Sequence, residues 1–452
     1  MKNPFIEHLG PLLSKDSFYS EVTQLKHNSI WYPEDDEQSK IEAALDRLYI
    51  PYHNHYQAYK IVHNLLKRYF YSYDMEKVIN EKKNYIQDKK INSSEPAFMI
   101  IGSTGIGKTM LINLIIKLLG KIKLFPELNN LLHIPILKVE TPGKRSLNQL
   151  MLNILEKIDY IADTDLYETF QKWPVEELRR QVKTAVRTHK IGMIIFDEIH
   201  NLINTNVRRG QDPIPKETEQ IIKYLKTFSN ETNIPMVLIG TFEAEKLLSE
   251  PQTSRRITGE GKLNLVEPHL YSNTPKEEQA WKSMMNKIWE VQIADHFYPL
   301  TDEIEELYYK KTLGIPDLIF KLHKNCLLKL LEINGTDNEI EPALIEAVSQ
   351  DMPNYNEIVK SFPLESTARK YLQYITSIAT QRRKTKRKGA TSNKQNSAVE
   401  ASTNSILNEN IINENSIIEM TSNSNNSKQN IDVLIKKGVI SDLDSIISLY
   451  CD

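Results

Sequence analysis

Hydrophobic residues along this chain come in two rhythms. Four short runs are apolar almost without a break: Ala97-Phe98-Met99-Ile100-Ile101, Ile134-Pro135-Ile136-Leu137-Lys138-Val139, Lys190-Ile191-Gly192-Met193-Ile194-Ile195-Phe196 and Pro235-Met236-Val237-Leu238-Ile239. Runs of that length and continuity predict strands buried on both faces. Between and after them the apolar positions fall at helical spacing, from Met110 to Leu119, from Leu147 to Ile158, through Ile221 and Leu225, and through Leu247 and Leu248. An earlier helix is predicted from about Tyr56 to Phe70, with Tyr59, Val62, Leu66 and Tyr69 or Phe70 on one face. Strands alternating with helices predict an α/β fold, a parallel sheet covered by helices on both faces.

The flanks read differently. Residues 1–50 are mixed, with Asn3-Pro4-Phe5-Ile6-Glu7 near the start and an acidic patch at Glu34-Asp35-Asp36-Glu37, and form an N-terminal extension. The core is taken as 51–275, with a polar, Lys-rich stretch from Lys82 to Ser94 ahead of its first strand. From Trp281 to about Ser361 the pattern is helical, broken at Pro299-Leu300-Thr301 and Gly314-Ile315-Pro316, so 276–375 is expected to be a small helical domain. Composition then shifts to a basic block, Arg382-Arg383-Lys384-Thr385-Lys386-Arg387-Lys388, and a polar linker, together 376–430. Within 391–430, 24 of 40 residues are Asn, Ser, Thr or Gln and none is aromatic. Such a segment buries too little apolar surface to offset its ordering entropy, so a disordered tether is expected. The chain closes on 431–452, where Val433-Leu434-Ile435 and Leu443 to Tyr450 are apolar again, as a docking peptide at the end of a tether would be.

Composition narrows the class. At 452 residues two or three folded units are expected, and 40% apolar with 26% charged residues is ordinary for a soluble protein. A formal net charge of −2 excludes a protein basic all over, though a local basic stripe suffices for DNA. Two cysteines, Cys326 and Cys451, exclude a disulfide framework and a four-thiolate metal site, as suits a reducing compartment. No signal-like apolar region opens the chain and no apolar run reaches the eighteen or so residues of a membrane span, so a cytoplasmic protein without a membrane partner is expected.

The strongest chemical signal lies between the first strand and its helix: Gly102-Ser103-Thr104-Gly105-Ile106-Gly107-Lys108-Thr109-Met110. This is the G-x-x-x-x-G-K-S/T spacing of a P-loop, in the strand–loop–helix setting it needs. Glycines let backbone N–H groups curl round phosphates and the helix N-terminus adds partial positive charge. Lys108 is placed to reach the β- and γ-phosphates, and the Thr109 hydroxyl to ligate Mg²⁺, which makes ATP and Mg²⁺ the expected cofactors. Asp197-Glu198 ends the third run; Asp197 is assigned to Mg²⁺ through water and Glu198 to the attacking water. Thr241 follows the fourth run, suited to touching the γ-phosphate or the water. Arg255 and Arg256, after the next predicted helix, suit the γ-phosphate site of a neighbouring subunit.

P-loop, Asp-Glu strand end, polar strand tip, arginine pair and helical segment together resemble an AAA+ ATPase. The closer resemblance is to the TnsC family, ATP-dependent regulators of cut-and-paste DNA transposition. It is carried by Asn3 to Glu7, Ile195-Phe196-Asp197-Glu198-Ile199-His200, Leu238-Ile239-Gly240-Thr241, Ser254-Arg255-Arg256, and Trp281 and Trp289 with Val291-Gln292. Leu300-Thr301-Asp302-Glu303 and Gly314, Asp317, Lys321 and Leu322 extend it, over roughly residues 3–370. Two positions depart from the pattern. His200 stands where the family often has glutamine, and Asp317 where many AAA+ proteins place a sensor arginine, with Lys321 the nearest substitute.

The resemblance implies a helical lid domain and a homo-oligomer, ring or helical filament, formed on double-stranded DNA when ATP is bound. It implies target-selector and transposase partners, with hydrolysis resetting the assembly. In related proteins the loop after the second strand lines the DNA; here it offers Thr141, Lys144, Arg145 and Ser146, groups suited to phosphates and not to base edges. Two other readings remain open from the residues alone: a signalling or defence switch ATPase that recruits an effector without DNA, and a replication initiator or helicase-loader type of AAA+ protein.

Overall fold

The computed structural model describes residues 3–28, 36–73, 97–144, 146–202, 216–248, 259, 261–265, 275–293, 297–334 and 339–352. The Lys82–Ser94 stretch, Arg145, Arg255, Arg256, and the tail with its basic block, polar linker and apolar end lie outside the described residues. The chain divides into two units, Met1–Val266 and Glu267–Asp452.

The first unit is built on a parallel sheet. Its strands, in chain order, are β1 (Ala97–Gly102), β4 (Ile136–Glu140), β5 (Met193–Asp197), β6 (Met236–Gly240) and β7 (Lys262–Leu265), arranged in space β4-β5-β6-β1-β7. Two short strands between them, β2 (Lys123–Phe125) and β3 (Leu131–His133), pair with each other as an antiparallel ribbon. Every residue of β1, β5 and β6 is buried. Successive side chains of a strand face opposite ways, so burial of all of them means both faces of the sheet are covered.

Helices supply that cover: α1 (Pro4–Leu9), α2 (Lys15–Asn28), α3 (Glu37–Arg47) and α4 (His53–Tyr71) before β1, then α5 (Lys108–Leu119), α6 (Leu147–Ala162), α7 (Leu166–Phe170), α8 (Val175–Thr188) and α9 (Lys216–Thr232). The stretch through Leu247 and Leu248 forms a 3₁₀ segment, Phe242–Leu248, in place of an α-helix. The mixed-looking N-terminus is helical because its few apolar residues are well spaced. Phe18 and Val22, four apart on α2, are both fully buried, and α2 packs on α3, α4 and α5.

The first helix is pinned at its start. Asn3 Oδ1 accepts hydrogen bonds from Phe5 N (3.0 Å) and Ile6 N (3.4 Å), while its Nδ2 donates to Phe70 O at 2.8 Å. Gly10 ends α1 with φ +73, a conformation glycine adopts without cost. Phe5, fully buried, meets Phe70, Tyr73, Phe125 and His133 with ring centroids 4.7–5.9 Å apart. The extension is thus part of the unit's core.

The second unit contains α10 (Pro275–Trp289), α11 (Asp302–Thr312), α12 (Pro316–Asn334) and α13 (Pro342–Gln350) among the described residues. Trp281 and Trp289 face inward, their indole N–H groups donating to Glu305 Oε1 (2.7 Å) and Tyr298 O (2.8 Å). Thr301 caps α11 through Ile304 N, and Leu313 (φ 51) and Gly314 (φ 77) turn the chain before Pro316 opens α12. Tyr308 and His323 share a buried hydrogen bond beside Cys326, whose thiol burial pushes up to about 12. Among the described residues no helix is long and apolar enough to cross a membrane.

Candidate functional site

The sheet's register decides what meets at its edge. All five strands run parallel, so their carboxyl ends share one edge, where ligands bind in open α/β sheets. β6 pairs with β1 on one side and β5 on the other. The loop after β1, the Asp197-Glu198 end of β5 and Thr241 after β6 are therefore side by side.

The P-loop has the backbone its motif requires. Gly105 (φ 82) and Gly107 (φ 93) are left-handed, and α5 begins at Lys108 with no side-chain cap, so its first N–H groups are left for a ligand. Gly102 is fixed by crowding, because a Cβ there would lie 2.9 Å from both Ile106 Cγ2 and the Leu265 carbonyl oxygen. Lys108 folds back on its own loop, donating to Gly102 O (3.0 Å) and Ser103 O (2.8 Å). Burial lowers its pKa, and the Glu198 and Asp197 carboxylates oppose that shift. Thr104 and Thr109 are exposed, Ile106 is buried and Met110 packs partly buried on the core. The Ser103 hydroxyl is buried without a hydrogen-bond partner.

Asp197 is 3% exposed at the end of β5. Its Oδ1 accepts from Glu198 N (2.9 Å), and its Oδ2 lies 3.4 Å from Thr109 Oγ1 and 3.0 Å from Lys138 Nζ. Glu198 has φ 56, a conformation that costs a non-glycine residue about 1–3 kcal/mol. The bond its N–H donates to Asp197 and another from Asn201 N to Glu198 O (2.9 Å) hold it there. Its Oε2 lies 3.1 Å from His200 Nδ1, in the 3₁₀ turn Ile199–Leu202. The Thr241 hydroxyl is buried and unpartnered, while its carbonyl accepts from Ala244 N at 2.9 Å.

The loop after β4 is divided. Thr141 is 3% exposed, its N–H donating to Asp197 O (2.9 Å) and its carbonyl accepting from Asn201 Nδ2 (3.1 Å). Ser146 accepts from Gln149 N at 3.3 Å as the cap of α6. Lys144 is exposed. In the second unit Lys321 and Asp317 pair at 2.7 Å across one helical turn, both exposed.

Sequence reasoning passed over two residues that the fold brings here. Lys138 lies mid-way along β4, and its ammonium reaches Asp197 and, at 3.1 Å, Asn113 Oδ1 on α5. The signal in the sequence was polarity out of place, a lysine inside a buried strand and an asparagine inside Leu111-Ile112-Asn113-Leu114-Ile115.

The donor set fits a nucleoside triphosphate with Mg²⁺. Left-handed glycines and uncapped N–H groups face the phosphate position, Lys108 needs only to leave two carbonyls, and Thr109 with Asp197 presents the hard oxygens Mg²⁺ prefers.

A family model described as Bacterial TniB protein matches residues 62–261, from within α4 to the glycine before β7. Over that core the chain is similar to TniB, a family of transposition-associated AAA+ ATPases. No curated protein matches the chain. Among solved structures it is similar to the Aeropyrum pernix ORC1 protein in complex with DNA, 14% identical over 74% of this chain and 75% of that one, TM-score 0.41. It is also similar to the Aeropyrum pernix ORC2 protein in ADPNP-ADP complexes, 12% identical over 72% and 74%, TM-score 0.42. A third likeness is to Cdc6p from Pyrobaculum aerophilum, 13% identical over 72% and 74%, TM-score 0.41. The parallel five-stranded sheet with helices around it and the glycine loop after β1 is the α/β P-loop arrangement expected from the sequence.

Proposed function

We propose that this chain is an ATP-dependent regulator of DNA transposition of the TnsC type. With ATP and Mg²⁺ bound it assembles as a homo-oligomer on double-stranded DNA, links a target selector to a transposase, and is reset by hydrolysis. One observation carries the reading: the P-loop and the Asp197-Glu198 strand end meet at one sheet edge, inside the span similar to TniB. Lys108 and the loop N–H groups bind the phosphates. Glu198 orients and deprotonates the attacking water, and Thr241 offers its hydroxyl on the strand between them. Thr109, and Asp197 through water, would hold Mg²⁺, which when bound would supply charge neutralisation at the phosphates.

Electron microscopy of the protein with duplex DNA and a non-hydrolysable ATP analogue tests this. Ordered assemblies are expected only when both are present. Assemblies that form with nucleotide but ignore DNA would replace this reading with that of a switch acting on a protein effector.

Lys144, exposed after β4, and Arg145 beside it are proposed to touch the DNA backbone. Replacing both with alanine is expected to weaken binding alike on unrelated sequences. The log–log salt slope is expected to flatten by roughly 0.9 for each phosphate that the variant no longer neutralises. A filter-binding salt titration that returns the unmodified slope would remove both residues from the interface.

A further inference from the structure

The metal end of the nucleotide site contains a positive charge of the protein's own. Lys138 Nζ stands 3.0 Å from Asp197 Oδ2, the same oxygen that lies 3.4 Å from Thr109 Oγ1. The placement follows from register. Lys138 is paired with Ile195, and Asp197 lies two residues further along β5, so both side chains fall on one face of the sheet. Over that face, Thr109 and Asn113 stand four apart on α5. Asn113 Oδ1 holds the ammonium from the other side at 3.1 Å. The Asp197 side chain is 4% exposed and that of Lys138 21%, so water screens this pair much less than a surface one.

We propose that Lys138 is a tethered cation that competes with Mg²⁺ for Asp197. In the nucleotide-free protein the ammonium neutralises the carboxylate. Thr109 and Asp197 would hold Mg²⁺ when it is bound with the phosphates, and the ammonium beside Asp197 would then oppose the metal's charge. Lys138 therefore raises the Mg²⁺ concentration at which the site loads, and makes loading depend on the phosphates that bring the metal. Competition, and not positioning, follows from the arrangement around Asp197. Its other oxygen is already fixed by Glu198 N at 2.9 Å, so the carboxylate keeps its place without the lysine.

This rests on the ATPase reading above, and the test separates the two. The full-length protein is titrated with Mg²⁺ in the presence of a fluorescent ADP analogue, and the midpoint of Mg²⁺-dependent binding is read. Lys138→Met, which keeps length and loses charge, is expected to lower the midpoint by a factor on the order of 10, the size of about one charge at partly screened range. Lys138→Arg is expected to stay within about twofold of the unmodified protein, by the same charge argument. Lys138→Gln, which retains a donor toward both oxygens, guards against a methionine variant that folds poorly, each being checked by thermal melting. Neutral variants that melt cooperatively and load at the unmodified midpoint, or at a higher one, overturn the proposal while leaving the nucleotide site standing. An unmodified protein that binds no nucleotide at any Mg²⁺ concentration overturns both.

Discussion

Lys108→Ala protein is expected to bind no measurable ATP, and Glu198→Gln protein to bind it normally and turn it over about 10²–10⁴-fold more slowly. The two side chains have separable work. Lys108 offers the loop's ammonium, held ready by two main-chain carbonyls at 3.0 and 2.8 Å, and its removal takes the cation from the phosphate cradle. Glutamine keeps the shape of Glu198 while losing the ability to take a proton. Its strained backbone is held by bonds to its own main chain, which the substitution leaves alone. Nucleotide binding by fluorescence and phosphate release, measured on both proteins, check the division. Phosphate release from Glu198→Gln at the unmodified rate would dismiss Glu198 as the base.

The second large effect is on stability. Phe5→Ala is expected to cost about 3–5 kcal/mol, as for other fully buried aromatic residues. That lowers the thermal midpoint by on the order of 10 °C in a unit of this size. The ring fills a space walled by Phe70, Tyr73, Phe125 and His133, and burial has already driven the His133 pKa down to about 3. A cavity there would admit water to an imidazole that burial now keeps neutral. The loss has a ceiling, however. If α1 lifts off as a piece, the cost stops at its docking energy, and proteolysis near Leu9 should then rise long before the midpoint falls. A midpoint unchanged within about 2 °C, less than about 1 kcal/mol at this size, would mean that α1 contributes nothing to the folded unit.

How much of this was legible depended on contrast between an element and its flanks. β1, β5 and β6 stand out as apolar runs because both their faces are covered, and the P-loop stands out because its glycines sit where the backbone turns left-handed. α8 was harder to see, since Leu178, Val182, Ala185 and Val186 are its only buried residues in a charged stretch. β7 is a four-residue edge strand with just Leu265 buried, too short to show a period. α2 rests on two buried side chains among polar ones. At the site, contacts between neighbouring strands were invisible. Thr141 reads as a loop hydroxyl, yet its N–H is taken by Asp197 O because β4 and β5 run in register to that point. Lys138 reads as a strand residue, and only the pleat shows that it reaches Asp197.

The order β4-β5-β6-β1-β7 also sets a schedule for the newborn chain. β1 leaves the ribosome first among the strands of the sheet, but both its neighbours, β6 and β7, are encoded far downstream. Met236, which opposes Ala97 in the finished sheet, comes 139 residues later, on the order of ten seconds at ordinary elongation rates. Throughout that interval an all-apolar strand has two open edges, the state most prone to pair with the wrong chain. The P-loop beyond it has no fixed platform until Gly240 and Leu265 close in from either side. The glycine loop thus takes its shape late in synthesis, and a polypeptide interrupted before β6 is an aggregation hazard that carries this loop without the sheet that gives it shape.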